Sequence, residues 1–185
     1  MAGEDAPQPL DPAVAARRAA ALAHVRMWGD PVLRTAARPV EDFDDDLRSE
    51  VARMAALMDD ALGAGLAATQ LGALRRVLVY RLGPDAPLGV VVNPEIEWTS
   101  EDVECFEEGC LSLPGVWLEV ERPAAVRVRA RDEWGEERVI EAAGPEASVL
   151  QHEIDHLDGV LVLDRVGREQ RRDAVRRLRE RLAAA

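Results

Sequence analysis

Apolar residues recur at helical spacing over 42–62, where Leu47, Val51, Met54, Leu57, Met58 and Leu62 share one face among acids and arginines. At about 3.6 residues per turn, that stripe predicts an amphipathic helix packed on a core. Gly63-Ala64-Gly65 follows as a stop, since paired glycines after the last apolar position permit backbone angles that other residues resist. The period then changes. Residues 77–82 and 89–93 are continuous, valine-rich apolar runs and read as buried strands. Residues 116–121, 125–130 and 137–141 alternate apolar with polar, with a turn at 132–135, which predicts an antiparallel sheet. Helical spacing returns over 145–157 and again after Gly167. The expected class is α+β: antiparallel sheets packed around a central helix, with one helix near each end of the chain.

Composition refines this into an organisation. Residues 1–24 open with Pro7, Pro9 and Pro12 among acids and continue alanine-rich, predicting a flexible or partly helical extension. Residues 25–165 form one domain, for which 48% hydrophobic content is ample, and 166–185 form a basic helix. The net charge of -12 argues against DNA as a partner, yet residues 165–185 carry eight arginines against three acids. That segment reads either as a solvated helix with internal ion pairs or as a docking surface for a polyanion. No apolar run is long enough for a membrane span, and Glu4 and Asp5 stand where a leader would be basic, so a cytoplasmic setting is expected. Two cysteines, Cys105 and Cys110, cannot staple a fold of this size. All 23 basic residues are arginine, which excludes lysine Schiff bases and Walker-type phosphate loops.

The candidate chemistry lies in His152-Glu153-Ile154-Asp155-His156. On a helix the two imidazoles lie about 40° apart and can reach one cation, while Glu153 is placed to touch water at that cation without ligating it. Asp155 points away, toward a supporting or solvated role. A hydrolytic centre needs a third protein donor, and no histidine follows His156. Cys110, in the glycine-flanked loop Glu108-Gly109-Cys110-Leu111-Ser112, is the better candidate, whereas Cys105 reads as a packing residue.

Three segments in order, Gly63-Ala64-Gly65-Leu66-Ala67-Ala68-Thr69-Gln70, Glu108-Gly109-Cys110-Leu111-Ser112 and Gln151-His152-Glu153-Ile154-Asp155-His156, resemble the motifs of the peptide deformylase family, and the resemblance covers about 25–165. It implies one divalent metal held by Cys110, His152 and His156, typically Fe(II) in the cell, with nickel, cobalt or zinc able to occupy the site. It also implies Glu153 as general base and then acid, and the Gln70 amide and Leu111 N–H as donors to the formyl oxygen. Gly65 would shape the loop, the backbones around Ala64 and Gly109 would pair with the peptide, and Trp117 and Val149 would wall a side-chain pocket. Formylated nascent peptides would be the substrates, and the basic C-terminal helix would contact the ribosome. A zinc endopeptidase shares the helix motif, and a metal-stabilised binding module shares the basic helix; both stay open on the sequence alone.

Overall fold

The computed structural model of the protein describes residues 10–184, so the first nine residues of the expected tail lie outside the described residues. α1 (Pro12–Leu22) begins where Asp11 caps it, accepting from the N–H of Ala13 and Val14. α2 (Asp45–Asp60) is the amphipathic helix of the sequence pattern, capped by Asp44. The left-handed residue after it is Leu62, at φ 59, and not one of the glycines expected there. Leu62 N–H reaches Asp59 O and Gly63 N–H reaches Met58 O, a pairing that ends a helix through a left-handed residue whatever its side chain.

Five strands form one antiparallel sheet in the order β1 (Gly65–Ala67), β2 (Val77–Tyr80), β3 (Gly89–Thr99), β6 (Ala125–Arg131), β7 (Glu137–Ala143). β4 (Val103–Gly109) and β5 (Trp117–Pro123) pair as a separate ribbon. Alternation along β2 divides the core. Leu78 and Tyr80 face α3 (Pro145–Leu157), while Val77 and Val79 face α2. α3 is thus wedged between the sheet and the ribbon, buried from Leu150 to Leu157. A third cluster joins Leu118 and Val120 of β5 to Ala174 and Leu178 of α4 (Arg168–Ala184), so the basic helix shares the core of the domain it follows.

The α+β expectation holds, with two strands unforeseen. β1 is three residues long and fully buried, too short to show a period. β4 carries acids on both faces, because the inward Glu108 has a buried partner. β3 also runs on past the expected end, through a register shift at Asn93, whose amide group exchanges hydrogen bonds of 2.8 Å with the backbone of Val40.

Candidate metal centre

His152 and His156 stand one turn apart on α3, their ring centroids 5.0 Å apart and their planes at 71°. β4 ends at Gly109, and the turn beyond it brings Cys110 Sγ to 3.2 Å from His156 Nε2. The thiol sulfur and one nitrogen from each imidazole lie within 4.8 Å of one another. One thiolate and two imidazoles suit a first-row divalent cation and leave a coordination position open.

The surroundings fit a cation there. Burial works against charge on Glu108, yet hydrogen bonds from His152 and Arg122 hold its carboxyl down at about 2. An ionised carboxylate only accepts, so at 2.8 Å it is His152 Nδ1 that donates, which leaves Nε2 free to ligate. Burial also opposes charge on His152, but Cys110 and Glu108 outweigh it and raise its pKa well above the usual range: the site draws positive charge. His156 is pushed well below its usual value, by burial first and then by His152, and so stays in the neutral, ligating form.

Glu153 lies beside this donor set. It is buried, its Oε2 has no hydrogen-bond partner among the described residues, and burial pushes its carboxyl up to about 7 against the opposing charge of His152. Gly65 makes the room. A Cβ at position 65 would come within 2.7 Å of Glu153 Cγ and closer still to Oε1, so this glycine is required by close approach and not, as the sequence suggested, by an unusual backbone angle. Gln70, in the short turn Ala68–Leu71, accepts from Ala67 N–H at 3.0 Å and donates from Nε2 to Ser112 Oγ at 3.2 Å, with Cys110 Sγ at 3.7 Å. Its amide therefore points at the sulfur. The N–H of Leu111 has no backbone partner among the described residues.

A cavity of about 420 Å³ opens over these groups, and every site residue named from the sequence lines it except His156, which is buried beneath. Ala64 and Gly65 form one wall, tied just past the end of β2 where the Ala64 carbonyl accepts from Arg81 N–H at 2.8 Å. Gly109 forms the opposite wall, and the exposed Trp117 ring covers its open face. Val149 closes the back, packed against the core cluster around α3.

Sequence reasoning missed the network that holds α3. Arg122 is buried and joins Glu108, through Nη2 at 2.9 Å, to Asp155, through Nη1 at 3.0 Å. Arg165 grips Asp155 from outside and Ser148 donates to Glu108 at 2.9 Å. Asp155 thus has the supporting role expected of it. The available signal was parity: Leu118, Val120 and Arg122 share the inward face of β5, so an arginine there had to be paired. Cys105 departs from expectation, since it lies exposed on the outer face of β4 and packs into no core.

An α+β fold that gathers one thiol and two imidazoles beside a buried glutamate with one oxygen free of partners among the described residues defines a mononuclear metal hydrolase. The Polypeptide deformylase family model matches residues 22–172, and the chain belongs to that family. It is 49% identical over 141 residues to a peptide deformylase of Thermosynechococcus vestitus, covering 75% of each chain. It is 44% identical over 160 residues to one of Acidothermus cellulolyticus, covering 86% of this chain and 87% of that one. The crystal structure of a Legionella pneumophila peptide deformylase superposes with a TM-score of 0.82 at 40% identity, over 86% of this chain and 96% of that one.

Proposed function

We propose that the protein hydrolyses the N-formyl group from the formyl-methionine that begins newly made proteins. The observation that carries this reading is the position of Glu153: outside the donor set, buried beside it, with one carboxylate oxygen unengaged. Cys110, His152 and His156 would hold the cation, which when bound acidifies water and polarises the formyl carbonyl. Glu153 takes the proton of the attacking water as the new C–O bond forms. Negative charge grows on the formyl oxygen, where the Gln70 amide and the Leu111 N–H donate to it. Glu153 then delivers its proton to the amine nitrogen, the C–N bond breaks, and formate and a free N-terminus leave. Backbone at Ala64, Gly65 and Gly109 pairs with the extended peptide, while Trp117 and Val149 border the methionine side chain.

For the cation we infer Fe(II) in the cell, with nickel, cobalt or zinc as substitutes. A thiolate beside two imidazoles accepts all four, and the thiolate also makes an iron-loaded site sensitive to oxygen through oxidation of Cys110. Metal analysis of anaerobically prepared protein, alongside formate release from formyl-Met-Ala, tests both readings. Release from formyl-Met-Ala that a chelator abolishes, with no cleavage of longer unformylated peptides, is the expected result; the reverse preference would make the protein a peptidase.

Gln70→Ala is expected to lose about 2.7–4 kcal/mol of transition-state stabilisation, roughly two to three decades in kcat. Its bonds to Ala67 and Ser112 also organise the turn, so metal content is read in parallel. Full turnover in a metal-loaded variant would remove Gln70 from the reaction.

We also infer that α4 docks on ribosomal RNA from a cytoplasmic location. Arg168, Arg171, Arg172, Arg176 and Arg179 share an open face of the helix with only two acids, Glu169 and Glu180, and no described helix is long and apolar enough to cross a membrane. Because Ala174 and Leu178 belong to the core, removing the helix would unsettle the fold, and charge reversal is the cleaner test. Arg172→Glu with Arg176→Glu and Arg179→Glu should abolish ribosome co-sedimentation at low salt, and unchanged binding would end the proposal.

A further inference from the structure

The substrate cavity has an outer wall that draws on a helix lying almost wholly ahead of the family match. The match begins at residue 22, whereas α1 begins at Pro12 and sends Arg18 and Leu22 into the cavity lining, beside Leu62 and Gly63. The helix is fixed there: Ala21 is buried, and Arg18 Nε donates to the Ala61 carbonyl at 3.2 Å, satisfying one of the acceptors left at the end of α2. The two Nη groups of Arg18 pair with no carboxylate among the described residues. The same lining includes the exposed carboxylate of Glu107, from β4. An extended peptide leaving the cavity therefore meets both a guanidinium and a carboxylate in its lining.

Side chains of an extended peptide alternate sides, so its residues past the methionine face these two groups in turn. We propose that Arg18 is a specificity determinant for the segment downstream of the formyl-methionine, favouring an acidic side chain at the position that faces α1. This rests on the deformylase reading of the site. Leu22 and Leu62 add apolar surface to the same lining, against which the aliphatic part of an incoming Asp or Glu can rest. Glu107 adds discrimination of opposite sense at the alternate position, where a basic side chain is preferred.

The test is a positional scan of formyl-Met-Ala-Ala-Ala-Ala, with Asp, Ala or Arg placed at each position after methionine, measured as kcat/KM. The wild-type protein should prefer Asp over Arg about three- to fivefold at one position, the size of an exposed ion pair, and the preference should shrink in high salt. Arg18→Gln, which keeps a donor for the Ala61 carbonyl, should bring that ratio to about one, and Arg18→Glu should invert it. Equal use of Asp and Arg at every position by the wild type, or an unchanged ratio in both variants, would overturn the proposal. Should α1 undock in Arg18→Glu, the Gln variant alone decides. Failure of the wild type to release formate from formyl-Met-Ala would instead count against the deformylase reading, so the two failures are told apart by different substrates.

Discussion

Glu153→Ala is expected to yield a folded, metal-loaded protein whose turnover of formyl-Met-Ala falls about 10²- to 10⁴-fold, the usual contribution of a positioned acid–base group. The carboxylate stands outside the donor set, so the cation should remain at the wild-type stoichiometry. Stability should not fall in step with activity. Burial pushes this carboxyl up to about 7, which means that its charged form is disfavoured where it sits, and removing it relieves that cost. Metal content, thermal midpoint and kcat measured on one preparation separate these effects. Turnover within tenfold of wild type, with metal intact, would take the proton transfers away from Glu153. Glu153→Gln should resemble alanine in rate, since an amide of nearly the same shape cannot cycle a proton.

Arg122→Met is the substitution with the largest expected effect on stability, a loss of about 3–5 kcal/mol, because it leaves Glu108 and Asp155 buried without their shared cation. That corresponds to a midpoint lower by roughly 6–20 °C for a chain of this size. The effect has a pH signature. Glu108 has a folded-state pKa of about 2 against an ordinary 4.5, so the stabilisation from its pairing is complete above the ordinary value and is lost as pH falls toward the folded one. The gap between wild type and Arg122→Met should therefore narrow from about pH 4.5 downward. Metal affinity should weaken as well, by about 10- to 100-fold, since Glu108 orients His152. An Arg122→Met protein as stable as wild type at neutral pH would show that the network is not a structural keystone.

The donors of the centre were legible in the sequence because each sits in a motif with its own physical logic. A four-residue spacing on a helix brings His152 and His156 together whatever surrounds them, and a glycine-flanked loop makes Cys110 available. Glu108 and Arg122 were not legible as a pair, since their strands meet only through the ribbon register that opposes Glu108 to Leu118 and Glu104 to Arg122. Pairing across strands is a tertiary fact: parity turns Arg122 inward on β5 but does not name its partner, and Glu108 alone does not depart from what a solvated strand would carry. The same reason hid β4, whose inward acid mimics an outward one. Gly65 was found for the wrong reason: its need is set by Glu153, distant in the chain, and no local signal records that contact. α1 was anticipated as a helix, but its place at the cavity mouth depends on how it packs along α2.

The burial of α3 between sheet, ribbon and the arginine network has a consequence for how the protein exchanges with its surroundings. A helix held by sheet, ribbon and ion pairs on all but its cavity side has few partial ways out, so the amides around His152 and His156 should reach deuterium only through large openings of the domain. Their exchange should set the slowest class in the molecule, while a cation held by the same helix stays within reach of a chelator through the cavity above it.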